Sequence, residues 1–405
     1  MSLDFDNIDG IEDFLNALVN NQIVKEDKEE SKISKDISEP HIRFKRDDLV
    51  RMLQLSSSII NPKSTQCVPK AITIVFDELG YKMVANNDLE YLEYEFKVLN
   101  EENRLLDTLC LPIELIKSVS SMLDEEIIIY KKDESYFIRL LLEGDLYLEL
   151  PKPESALLMR PTKGTKPLYF KKEAGGESNL VSCAYMQEAL KSLIPIVEEE
   201  VILDKRRITF ISDRAYFASR DYFIQYNLPL PRMRISLRFA DVLKKISMAY
   251  NDSGVLEFYQ DEVVPSRIIV KCLGVLFTST VTSVPDEKKL VDFLDRIKTH
   301  KDILVDSKDL ERVVNIAYSL PYSRKEIKIK YNNGLIVGIP MKTKTTEFKI
   351  PSKSVKDIKI TSELLLSARE FKKLLDSFGT GEVSISILDK CVVISKKNLV
   401  GVLEI

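Results

Sequence analysis

At 405 residues, 44% of them hydrophobic and 30% charged, the chain is too long for one ordinary core and reads as two to four soluble domains. No stretch approaches the roughly 18 apolar residues of a membrane span, and the acidic start MSLDFDNIDG is unlike a signal peptide. Residues 1–40 carry 11 acidic side chains and 4 lysines, a charge of −7 against −4 for the whole chain, which leaves residues 41–405 at +3. That small excess permits nucleic-acid binding without demanding it.

The tail comes first. In IDGIEDFLNALV, Ile8, Ile11, Phe14, Leu15, Leu18 and Val19 recur at helical spacing, which suits a docking peptide as well as a helix that packs on its own domain. Residues 24–40 hold almost no large apolar side chains, so disorder is expected. The tail is expected to be dispensable for the fold but to matter for partner choice.

From residue 41 one order of elements is written three times. An amphipathic helix opens each repeat, at 44–60, 182–197 and 306–320. Short β-rich runs follow, then a second helix at 111–123, 236–250 and 367–378. Alternating apolar and polar residues close each repeat, as half-buried antiparallel strands do. The predicted fold class is α+β, with three tandem repeats of two helices on antiparallel sheets. The boundaries are a tail at 1–40 and domains at 41–165, 166–298 and 299–405. Residues 151–177, with four prolines and three glycines, read as the first connector, and PDEKK at 285–289 opens the second.

The helices are basic on the side away from their apolar stripe. Phe239, Val242, Leu243, Ile246 and Met248 oppose Arg238, Lys244 and Lys245, while Phe371, Leu374, Leu375 and Phe378 alternate with Arg369, Lys372 and Lys373. Such a face is either solvated or turned to a polyanion. Five dispersed cysteines, Cys67, Cys110, Cys183, Cys272 and Cys391, with no C-x-x-C pair, suit a reducing cytoplasm better than a disulfide framework.

Catalytic signatures are lacking. The two histidines, His41 and His300, sit in no nucleophile or metal pattern, and no P-loop occurs; Gly175-Gly176 reads as a turn. Asp88 and Asp213 follow strands and are better explained as turn residues than as general acids or bases. The chain reads as a non-enzyme without cofactor or metal.

IRFKRDDLVRMLQ, VANNDLEYLEYEF (with Asn87, Asp88, Leu89 and Glu90) and LCLPIELIKSVSSM (with Pro112) resemble successive segments of the bacterial beta sliding clamp. ITFISDRAYFAS and LGVLFTSTVTSVPD resemble segments of that family's second domain, and the chain ends on a strand where the family ends. The resemblance covers roughly residues 41–405. Where the family has TDGHR this chain has Ser212, Asp213, Arg214, Ala215 and Tyr216, and Gly401, Val402, Leu403, Glu404 and Ile405 replace the usual C-terminus. It therefore resembles a divergent clamp of a phage or other mobile element.

The resemblance implies a DNA-clamp fold assembling into a ring, a head-to-tail homodimer that encircles double-stranded DNA without reading its sequence. It further implies a DNA polymerase as tethered partner and a separate clamp-loader ATPase. Inner-face DNA-contact candidates are Arg46, Arg51, Lys117, Lys191, Arg238, Lys244 and Lys245, with Lys308, Arg312, Arg369, Lys372 and Lys373 on the later helices. Lys63 falls where the family carries a DNA-touching basic residue. The family's peptide pocket maps to Ser212, Arg214, Tyr216, Phe217 and Pro285 with Leu399, Val402, Leu403 and Ile405. Tyr216, Phe217 and Leu399 read equally well as strand core. The alternative function is a clamp-fold regulatory protein, a transcription-coupling factor or a decoy of a host clamp.

Overall fold

The computed structural model describes residues 38–60, 71–87, 89–113, 116, 125–140, 146–150, 164–171, 176–200, 202, 205–211, 214–219, 222–284, 303–320, 325–354, 363–388 and 390–404. The expectations for the tail helix and for most of 24–40, 111–123 and 285–289 fall outside these residues. So do those for Asp88, Asp213, His300, Cys67 and Gly175. The described residues form five helices and 28 strands.

The helices are α1 (Arg46–Ser56), α2 (Cys183–Glu198), α3 (Leu237–Ala249), α4 (Ser307–Ser319) and α5 (Ala368–Phe378). Sequence periodicity starts the first helix too early, because His41–Lys45 is a strand that pairs with Glu126–Lys132 and buries Ile42 and Phe44 by alternation. The other helices begin where their caps dictate. Ser182, Ser236 and Ser367 each accept a hydrogen bond from the backbone N–H three residues on, and Asp306 accepts one from Lys308 N. These bonds satisfy donors that a helix start leaves open. Helix α1 has no side-chain cap, but Asp47 and Asp48 in its first turn favour its positive end.

The chain divides into two compact units, one of residues up to 160 with 274–277, the other of 161–273 with 278–405. In the first unit, His41–Lys45, Glu126–Lys132, Ser135–Leu140 and Leu146–Leu150 form a sheet in that order. Glu90–Glu95, Gly80–Asn86, Ala71–Asp77 and Leu109–Pro112 form a second antiparallel run. Asn87 makes the turn before Glu90, its Oδ1 accepting from the N–H groups of Leu89 and Glu90, both at 2.9 Å.

In the second unit a nine-stranded sheet runs from Met233–Ser236 through Arg207–Ile211, Arg214–Ala218 and Tyr222–Asn227. It continues across the C-terminal strand Leu399–Glu404 to Cys391–Lys396, Glu382–Ile387, Ile303–Asp306 and Ser352–Ser354. The pairing of Tyr222–Asn227 with Leu399–Glu404 joins the second and third sequence repeats into one sheet. Val255–Asp261 pairs with Leu180–Ser182 and Arg267–Cys272, and Thr165–Pro167 also pairs with it. The connector expected at 151–177 is thus partly strand. Proline is tolerated there because Thr165–Pro167 is short and pairs through one neighbour.

Candidate functional site

The helices of the second unit form a row. α3 packs on α2, α2 on α5, and α5 on α4. Their apolar stripes are fully buried: Leu190 and Leu193, Phe239 and Leu243, Leu310 and Val314, Phe371 and Leu375. The sheet meets them with one parity of side chains, including Phe210, Phe217 and Ile224. At Gly401 a Cβ would lie 2.5 Å from Leu374 Cδ1, so α5 presses directly on the C-terminal strand.

The other side of this row carries the expected DNA-contact residues. Lys191, Arg238, Lys308, Arg312 and Arg369 are exposed, and Lys244 is half-buried. Three more are held by neighbours. Lys245 pairs with Asp241 at 2.7 Å, and Lys372 Nζ donates to Asn315 Oδ1 at 2.8 Å. Lys373 lies between Glu199, 2.7 Å away, and Glu370, 3.3 Å away, with only 15% of its side chain exposed. In the first unit Arg51 is exposed and reaches the Tyr94 hydroxyl at 3.5 Å, while Arg46 lies 3.8 Å from Asp47. Lys63 and Lys117 lie outside the described residues. Across α2 to α5 nine basic residues stand against seven acidic ones, so the row is only slightly positive.

Strand register divides the expected peptide pocket in two. Tyr216 pairs with Gln225 and Gln225 with Val400, while Ala218 pairs with Phe223 and Phe223 with Val402. Arg214, Tyr216 and Val402 therefore share the face turned away from the helices. Phe217, Leu399 and Leu403 have the opposite parity and belong to the helix-covered core, because successive strand residues point to opposite faces. Ser212, Pro285 and Ile405 lie outside the described residues.

The face turned away from the helices has a buried apolar centre of Tyr216, Phe223, Cys391, Val393 and Val402, with Ile211, Leu388 and Val400 half-buried around it. The Tyr216 and Phe223 rings stack with centroids 5.6 Å apart. On its flank Arg234 pairs with Thr209 and Arg214 with Ile211, which brings arginines beside the apolar centre. The register adds Phe223, Val393 and Val400, which the sequence did not single out, to the face that carries Tyr216. Counting in twos from Tyr216 would have excluded Phe217, but only the cross-strand register could add residues of the C-terminal hairpin.

Among the described residues, no group of three or more His, Cys, Asp or Glu side chains could hold a metal ion, and no helix is long and apolar enough to cross a membrane.

The sequence matches no protein-family model and no curated protein. Solved structures do match. The DNA polymerase III beta subunit of Thermotoga maritima aligns with a TM-score of 0.67 at 11% identity, over 90% of this chain and 98% of that one. The DNA polymerase sliding clamp of Caulobacter crescentus gives 0.68 at 11% identity, with the same coverage. The beta subunit from DNA polymerase of Streptococcus pyogenes gives 0.66 at 12%, over 90% and 99%. The chain has the DNA-clamp fold.

Proposed function

We propose that this protein is a sliding-clamp processivity factor that closes as a homodimeric ring around duplex DNA and tethers a DNA polymerase and other partners. Each chain supplies three domains, divided near residues 165 and 298, after an acidic tail. The observation that carries the reading is the continuous row α3-α2-α5-α4, which exposes Lys191, Arg238, Arg312 and Arg369 on one surface of a clamp fold. A ring linked topologically to DNA needs only weak, sequence-independent phosphate contacts, and a slightly positive surface supplies them without holding the protein in place. No catalytic step is required of it, and opening the ring falls to a separate ATPase.

The outward apolar face around Tyr216, Phe223 and Val402 is the docking place for a partner peptide. Arg234, half-buried beside it, favours peptides with a carboxylate next to their apolar anchors. A second reading, a clamp-fold regulatory protein with no replication role, draws support from the same helices. Lys245, Lys372 and Lys373 are occupied by neighbouring side chains, which thins the positive surface.

Retention on DNA separates the two readings. Loaded protein is expected to stay on nicked circular DNA far longer than on the same DNA linearised with free ends. Equal retention on both substrates, or a monomer by light scattering, overturns the processivity reading in favour of the regulatory one.

A further inference from the structure

Two cysteines that lie 89 positions apart in the chain meet inside the second unit, their Sγ atoms 3.7 Å apart. Cys183 is the first residue of α2 and fully buried, and Cys272 ends the strand Arg267–Cys272 with 3% exposure. The backbone holds them in place. Cys183 N donates to Gly254 O at 2.9 Å, and a Cβ at Gly254 would lie 2.7 Å from Cys183 Sγ. Glycine at 254 lets both this sulfur and Tyr250, whose carbonyl oxygen would lie 2.5 Å from that Cβ, come this close.

The two sulfurs are also chemically unequal. A thiol hydrogen bond joins the two sulfurs, and Cys272 also accepts one from the Val255 N–H; together they hold its pKa below the ordinary thiol value. Its contact with the Cys272 sulfur and its burial push Cys183 up. An attacking thiolate beside a resolving thiol is the arrangement that two-step thiol oxidation requires.

We propose that Cys183 and Cys272 form a reversible dithiol–disulfide modification site whose oxidant is a small hydroperoxide. The Cys272 thiolate attacks the peroxide O–O bond, takes one oxygen to become a sulfenic acid, and releases the other as water after protonation. Cys183, giving up its proton, attacks the Cys272 sulfur, forms the S–S bond and expels a second water. Two thiols lose two electrons and two protons, and one hydrogen peroxide becomes two waters. A covalent S–S bond is about 2.0 Å long, so the sulfurs must approach by roughly 1.7 Å. Burial of both sulfurs restricts the oxidant to a molecule of peroxide size. The bond ties the start of α2 to the end of the strand Arg267–Cys272 and closes a long loop, which constrains the unfolded chain.

The test uses the full chain. It is treated with hydrogen peroxide, quenched with catalase, denatured and alkylated with a maleimide, then weighed intact and as tryptic peptides. The expected result is protection of two of the five thiols and a peptide joining Cys183 to Cys272. The chain should lose two hydrogens, run faster on a non-reducing gel, and regain both thiols with dithiothreitol. In C183S the Cys272 sulfenic acid should persist and be trapped by dimedone. Alkylation of all five thiols after peroxide, or protection of other cysteines instead, overturns the proposal on the unmodified chain whether or not C183S folds.

Discussion

Two sheet faces turned away from helices show how one fold can carry opposite chemistries. In the first unit Tyr94 reaches Asp48 on α1, so the residues of opposite parity, Lys82, Val84, Tyr91 and Glu93, point away from that helix. Lys82 is nearly buried there, 3.1 Å from Asp77 and 2.7 Å from Glu93, and the Tyr91 hydroxyl donates to Glu93 at 2.6 Å. In the second unit the corresponding face is apolar around Tyr216, Phe223, Val393 and Val402. The first face carries its own buried apolar cluster of Val75, Val84 and Tyr91 beside charges that satisfy one another. The apolar face leaves half-buried Ile211, Leu388 and Val400 at its rim, where a peptide can add buried area.

Four substitutions test this contrast, taken in decreasing order of their cost. Lys82→Met leaves two carboxylates facing each other in a mostly buried place and should cost about 3 kcal/mol of stability by urea denaturation. Burial alone would lower the Lys82 pKa, but its hydrogen bonds to Glu93 and Asp77 and their charges outweigh that and hold it above 10.5. A raised lysine pKa means the contribution is fully present below 10.5 and fades as pH rises through the folded value. The loss on substitution should therefore be the same at pH 6 and pH 8, and a strong dependence across that range would break the assignment.

Gly401→Ala probes the helix-covered face of the C-terminal strand. Its Cβ would meet three carbons of Leu374 at 2.5 to 3.2 Å, and overpacking of this kind should cost about 2 kcal/mol. An unchanged thermal midpoint would mean that α5 does not press on the strand. Tyr91→Phe removes one donor from Glu93 while Lys82 stays, so a loss of about 1 kcal/mol is expected in the same unfolding assay. Val400→Ser should change stability by less than about 1 kcal/mol because the side chain is only half-buried. It should weaken binding of a partner peptide only about twofold by calorimetry, since rim contacts exclude water from the apolar centre but carry little energy themselves. Equal peptide affinity for Val400→Ser and the unchanged protein would move the docking place elsewhere.

The helices were legible because their signals are local. Apolar residues at three- and four-residue spacing and a capping Ser or Asp lie within one short window, so α2 to α5 begin and end within a residue of their sequence-based bounds. The first repeat was harder, since Phe44 fits a helical stripe and a strand equally, and pairing with Ile127 in a distant strand decides for the strand. The basic helix surface was legible in kind but not in detail. No window of sequence contains both Lys373 and Glu199, whose ion pair withdraws that lysine from the exposed set.

The α+β class, the capped amphipathic helices α2 to α5 and the net negative charge of the first 40 residues could all be read in the chain, because each depends on residues near one another. Which of the expected pocket residues share a face depends on long-range pairing, since parity becomes a surface once Tyr222–Asn227 and Leu399–Glu404 are in register. The folded structure alone placed Lys82 between two carboxylates and brought Cys183 within 3.7 Å of Cys272. Such contacts between distant residues exist only after the sheets and helices have closed on one another, because the sequence states which side chains are present and not which of them will meet.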